Sequence, residues 1–166
     1  MPLELPKRWA SVDPGDVHAA VAMWHEGECL NVTEFLPDDA IDHLENGIRT
    51  LEIHAIVYEK FALDLRRASQ QNGSQMLTSQ MIGVMRHLGR RYNVPAIGYF
   101  NHQHKKIYHM GWFTRMGRAD HQQQPYWTPG PRGGSLNGHK QDAWCVGMWF
   151  KHERGYRDYG TREHQA

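Results

Sequence analysis

The chain has 166 residues, 40% of them hydrophobic and 22% charged, enough for one domain with a core of its own. No apolar run approaches the ~18 residues that a membrane span needs, and the opening Met1–Pro6 segment lacks the apolar stretch of a signal peptide. Two cysteines, Cys29 and Cys145, make neither a disulfide framework nor a Cys-x-x-Cys metal knuckle, so a reduced, cytoplasmic protein is expected.

The net charge of +1 is unevenly spread. Residues 1–64 hold four Lys/Arg against thirteen Asp/Glu, whereas residues 65–166 hold fifteen against five, with eight of the twelve histidines. Such a split suits a basic surface for a polyanion, unless the two halves interleave and their charges mix.

Arg8 to Asp13 reads as a strand that ends in the turn Pro14-Gly15. Val17 to His25 fits strand or helix by composition, but Glu26-Gly27 followed by the alternating Cys29–Phe35 run favours a hairpin. Pro37-Asp38-Asp39 opens a helix, with Ile41, Leu44 and Ile48 on its buried face. Ile53 to Tyr58 is nearly all apolar, as a central strand requires. A helix is predicted from about Gln75 to Tyr92. Its apolar positions Met76, Leu77, Met81, Val84, Met85 and Leu88 cover more than the ~100° stripe that packing on one sheet uses. Pro95 to Phe100 is the last predicted strand, and Asn101 to Asn137 mixes aromatics, His, Gln, Gly and Pro without period. A final helix is predicted from about Asn137 to Arg154, with Gly155 as its stop. The order is that of an α/β domain with a mixed sheet flanked by helices.

Three carboxylates fall where carboxylates are awkward. Asp13 ends the first strand, Glu59 ends the most apolar one directly after Ile56-Val57-Tyr58, and Asp142 shares a helical stripe with Cys145, Val146 and Trp149. An acid at the edge of a core costs several kcal/mol unless it is paired or bound to a cation. Singly, each has a plainer reading: Asp13 as a turn residue, Glu59 paired with Arg66 or Arg67, Asp142 solvated. Together they offer hard oxygen ligands for Mg²⁺ or Mn²⁺. His102, His104 and His109 do not have the spacing of a usual zinc site. His139 lies three residues before Asp142, on the same helix face.

Val12-Asp13-Pro14-Gly15, Ile56-Val57-Tyr58-Glu59-Lys60-Phe61 and His139-Lys140-Gln141-Asp142-Ala143 resemble the three active-site blocks of RuvC-type Holliday junction resolvases, in the divergent form carried by bacteriophages. The resemblance implies a ribonuclease H-like fold: an α/β domain spanning 1–166, with a mixed five-stranded sheet flanked by helices. Ile82-Gly83 ahead of Val94-Pro95-Ala96 is also similar to the family, in which this helix lies at a dimer interface. The chain departs from the family at about 101–137, where an irregular basic and aromatic insertion replaces a lysine- and glycine-rich segment. There Lys105, Lys106, Arg115, Arg118 and Arg132 interleave with Tyr108, Trp112, Phe113, Tyr126 and Trp127, a mixture suited to phosphate contact and base stacking. Burial of several of these aromatics in the core is the alternative.

What the resemblance implies is a metal-dependent, structure-specific endonuclease that hydrolyses DNA phosphodiesters in Holliday junctions or other branched DNA. Asp13, Glu59, Asp142 and His139 would form the catalytic and metal site, with two Mg²⁺ or Mn²⁺ ions. A homodimer is expected, because two symmetric nicks require two symmetric sites. The alternatives are a ribonuclease H-like nuclease acting on RNA or replication intermediates, and a non-catalytic nucleic-acid-binding module.

Overall fold

The computed structural model describes residues 6–60, 74–104 and 138–154. Five strands, β1 (Arg8–Asp13), β2 (Ala19–His25), β3 (Glu28–Phe35), β4 (Ile56–Lys60) and β5 (Ala96–Phe100), form one sheet in the order β3-β2-β1-β4-β5. The pairs β3/β2 and β2/β1 are antiparallel, and β1/β4 and β4/β5 are parallel, so the sheet is mixed as expected. Helices α1 (Pro37–Arg49) and α2 (Ser74–Tyr92) cover one face, a four-residue α3 (Asn101–His104) follows β5, and α4 (Gly138–Glu153) covers the other face.

Local chemistry explains the elements. The β2–β3 turn places Glu26 and Gly27 at φ of 49° and 88°, the two left-handed positions of a tight hairpin, where glycine adds no steric cost. Proline opens α1, and Asp38 and Asp39 complement the positive end of its dipole. Strand β1 is buried from Trp9 to Asp13, and β3, at the sheet edge, has no fully buried residue.

Alternation along the strands splits the core in two. Ala10 and Val12 of β1 pack with Leu44 and Ile48 of α1 and Met81, Met85 and Leu88 of α2. Trp9 faces α4, where it stacks on Trp24 at 5.5 Å between ring centroids and meets the edge of Phe150. The contact is close enough that a Cβ on Gly147 would come within 2.4 Å of the Trp24 ring. Ser11 joins three elements: it accepts the Trp24 Nε1–H at 2.8 Å and donates to the Ala143 carbonyl at 2.7 Å. At the far end of α4, the Lys151 ammonium donates to the Gly27 carbonyl in the hairpin turn, and burial lowers its pKa to about 8.

The structure departs from expectation in four places. Strand β4 begins at Ile56 rather than Ile53, because the Ile53 amide bonds to the Gly47 carbonyl of α1 at 3.0 Å instead of joining the ladder. It runs on through Glu59 to Lys60. The first four residues of the irregular segment form α3, helped by Gln103 Oε1, which accepts the Phe100 N–H at 2.8 Å. Helix α4 has no single buried stripe: Gln141, Ala143 to Met148, Phe150 and Lys151 are all buried, leaving Asp142 and Trp149 half-buried.

On α2, Met81, Met85 and Leu88 are core, Leu77 and Val84 are exposed, and the Met76 side chain lies outside the described residues. The same holds for Lys105, Lys106, Arg115, Arg118 and Arg132, for Arg66 and Arg67, for Gly155 and for most of 101–137. Cys29 and Cys145 are not joined in a disulfide. Among the described residues, no helix is long and apolar enough to cross a membrane.

Candidate active site

Register brings the first two acids together. Val12 of β1 is level with Tyr58 of β4, and one step further along this parallel pair places Asp13 beside Glu59. Adjacent strands lie ~4.8 Å apart, and equal parity puts both side chains on one face. That face is the α4 side, since Trp9 and Val57, at the same parity as Asp13 and Glu59, belong to the core under α4. The row extends outward, because Asp13 is level with Ala20, Ala20 with Glu34, and Glu59 with Tyr99.

Helix α4 begins over this edge. Its first turn carries His139, whose Nδ1 lies 2.6 Å from Asp13 Oδ2, and Asp142 follows three residues later. An ionised carboxylate can only accept, so Nδ1 carries the shared proton. The hydrogen bond to Asp13 raises the His139 pKa above its ordinary value, burial opposes the rise, and the charges of Asp13, Glu34 and Asp142 add to it. The imidazole therefore sits in a negative field contributed by β1, β3 and α4. Asp13 is 8% exposed and His139 is exposed, so the pair spans the boundary between core and solvent.

Glu59 has a separate set of neighbours. Asn101 donates from Nδ2 to Oε1 at 3.0 Å, and His104 Nε2 lies 3.3 Å from Oε2. His104 is completely buried, whereas His102 is exposed and stacks on Phe100. The two histidines thus diverge, and His109 lies outside the described residues.

All four expected site residues therefore stand at one end of the sheet on one face. They stand in two groups, Asp13–His139 and Glu59–Asn101–His104, with Asp142 beside the first. Among the described residues, no three His, Cys, Asp or Glu side chains are grouped so as to hold a metal ion. The donor chemistry nonetheless suits a hard divalent cation: three carboxylates and an imidazole, with two of the carboxylates on adjacent strands.

Sequence reasoning did not single out Glu34 or Asn101, and it weighed His104 only for a zinc site with His102 and His109. Glu34 is in an alternating edge strand and reads as a solvated residue; its only signal is its level with Asp13 across two strand pairs. Asn101 and His104 are three apart, which brings them to one face only once that stretch is known to be helical.

No family model matches the chain, and no curated protein matches it in sequence. Solved structures do. A structure of Thermus thermophilus RuvC in complex with Holliday junction substrate superposes with a TM-score of 0.58 at 13% identity, covering 90% of this chain and 97% of that one. A second Thermus thermophilus RuvC structure gives 0.54 at 14% identity, over 89% and 96%. The fold expected from the three sequence blocks is therefore the fold observed: the described residues have the RuvC, ribonuclease H-like architecture.

Proposed function

We propose that this protein is a divalent-metal-dependent endonuclease that cuts branched DNA, with four-way junctions as its preferred substrate. The observation that carries the reading is the adjacency of Asp13 and Glu59 at one edge of the parallel β1/β4 pair, with His139 of α4 2.6 Å from Asp13. Carboxylates at the ends of neighbouring strands, under the first turn of a helix with a third acid, suit cation-assisted phosphodiester chemistry. The similarity of fold to RuvC on a junction supports the substrate class.

Asp13, Glu59, Asp142 and His139 would hold Mg²⁺ or Mn²⁺, in two sites. When bound, these ions supply an activated water and stabilisation of the leaving 3′-oxygen. The chain's own part is to orient the acids, with His139 fixing one oxygen of Asp13. Lys105, Lys106, Arg115, Arg118 and Arg132 would contact phosphates, in an insertion within a single domain over 1–166. Two coordinated nicks call for a two-fold dimer, and the exposed Leu77 and Val84 of α2 give it an apolar contact.

The test is a cleavage panel in Mg²⁺, Mn²⁺ or chelator, on synthetic four-way junctions, flaps, Y-forks, linear duplex and RNA–DNA hybrid. Paired nicks in the junction, lost with chelator, are expected. Preferential cutting of the hybrid would move the assignment to a ribonuclease, and no cutting of any substrate would refute it.

A further inference from the structure

We propose that Asn101 and His104 are positioning residues that lock the Glu59 carboxylate in one orientation at the sheet edge, an inference that rests on the nuclease reading. Strand β5 pairs with β4 so that Glu59 is level with Tyr99 and Lys60 with Phe100. The chain leaves the sheet directly after Phe100 and turns into α3. One helical turn brings Asn101 and His104 to the same side: Asn101 donates to Glu59 Oε1 at 3.0 Å, and His104 Nε2 stands at ion-pair distance, 3.3 Å, from Oε2. Contacts on both oxygens oppose rotation about the terminal torsion, which is otherwise soft.

Burial separates this arrangement from an incidental surface pair. The His104 side chain is wholly buried and that of Glu59 is 17% exposed. Burying an imidazole is unfavourable unless a partner compensates, and an apolar residue would fill the same space without that cost. The Gln103 contact to the Phe100 amide fixes where α3 starts, and hence where both partners land. Asp13, by contrast, is contacted on one oxygen by His139. Glu59 is thus oriented before any substrate arrives, as outer-sphere partners orient ligating carboxylates elsewhere.

Three variants test this: Asn101→Ala, His104→Leu and His104→Gln. Mn²⁺ titration by calorimetry without DNA, and steady-state cleavage of a four-way junction, would be read together. Asn101→Ala and His104→Leu should each lose about 10- to 100-fold in Mn²⁺ affinity and in kcat, with KM for the junction unchanged. His104→Gln, which keeps an N–H donor, should recover much of the loss. The ¹³C carboxyl resonance of Glu59 in metal-free protein, assigned with Glu59→Gln, should shift in the first two variants. Asn101 is exposed, so its variant remains informative if His104→Leu does not fold. Wild-type affinity, kcat and carboxyl resonance in folded Asn101→Ala, and in His104→Leu where it folds, would overturn the proposal. A wild-type protein that neither binds Mn²⁺ nor cuts would refute the nuclease reading instead, and the carboxyl resonance would still decide whether the two residues hold Glu59.

Discussion

Replacing Ser11 with alanine removes one oxygen atom and should loosen the seat of α4 over the active-site edge. The hydroxyl accepts the Trp24 Nε1–H at 2.8 Å and donates to the Ala143 carbonyl at 2.7 Å, and Ser11 is completely buried. The indole N–H would be left without that acceptor in a site closed to water, which costs about 1–3 kcal/mol. The Ala143 carbonyl lies within α4 and keeps its helical partner, so its loss is about 0.5–1 kcal/mol. The sum is about 1.5–4 kcal/mol, or a fall in Tm of roughly 3–16 °C for a chain of this size. Urea unfolding should show a lower midpoint with an unchanged slope. A double-mutant cycle with Trp24→Phe should show coupling above ~0.5 kcal/mol, since the pair shares one hydrogen bond. Because Ala143 follows Asp142 directly, junction cleavage should fall as well. A destabilisation below ~0.5 kcal/mol would refute the idea that this bond anchors the helix.

Gly147→Ala should destabilise by about 1–3 kcal/mol by forcing a methyl group against the Trp24 ring, measurable in the same unfolding assay. The His139–Asp13 bond predicts a pH dependence. With the folded pKa raised, the stabilisation is complete below about pH 6.5 and is lost as pH rises through the folded value, so the advantage over His139→Gln should shrink across that range. For assembly, light scattering should find a dimer that Leu77→Glu or Val84→Glu converts to a folded monomer. Met81 and Met85 are core, so charge at those positions would report on folding instead.

Most of the sheet was legible because its signals are local. The proline and acids at the start of α1, the hairpin turn and the apolar run before Glu59 each mark an element within a few residues. Asp13 and Glu59 stood out because acids ending apolar strands need a reason. What escaped the sequence depends on long-range contact. Ile53 looks like strand until the Gly47 carbonyl is seen to take its amide. Helix α4 is apolar round most of its circumference, so periodicity could not mark which face meets the sheet. The partners of Glu59 lie 42 and 45 residues further on, in a stretch without hydrophobic period, and only the β4/β5 register reveals them.

The most direct test of the account is cleavage of a four-way junction in Mg²⁺ by Asp13→Asn, Glu59→Gln and Asp142→Asn, each of which removes a charge and keeps the shape. Each variant should lose cleavage while its circular dichroism and its junction binding remain those of the wild type. Near-wild-type turnover in any one would remove that residue from the site, and turnover surviving in all three would contradict the metal-nuclease assignment itself.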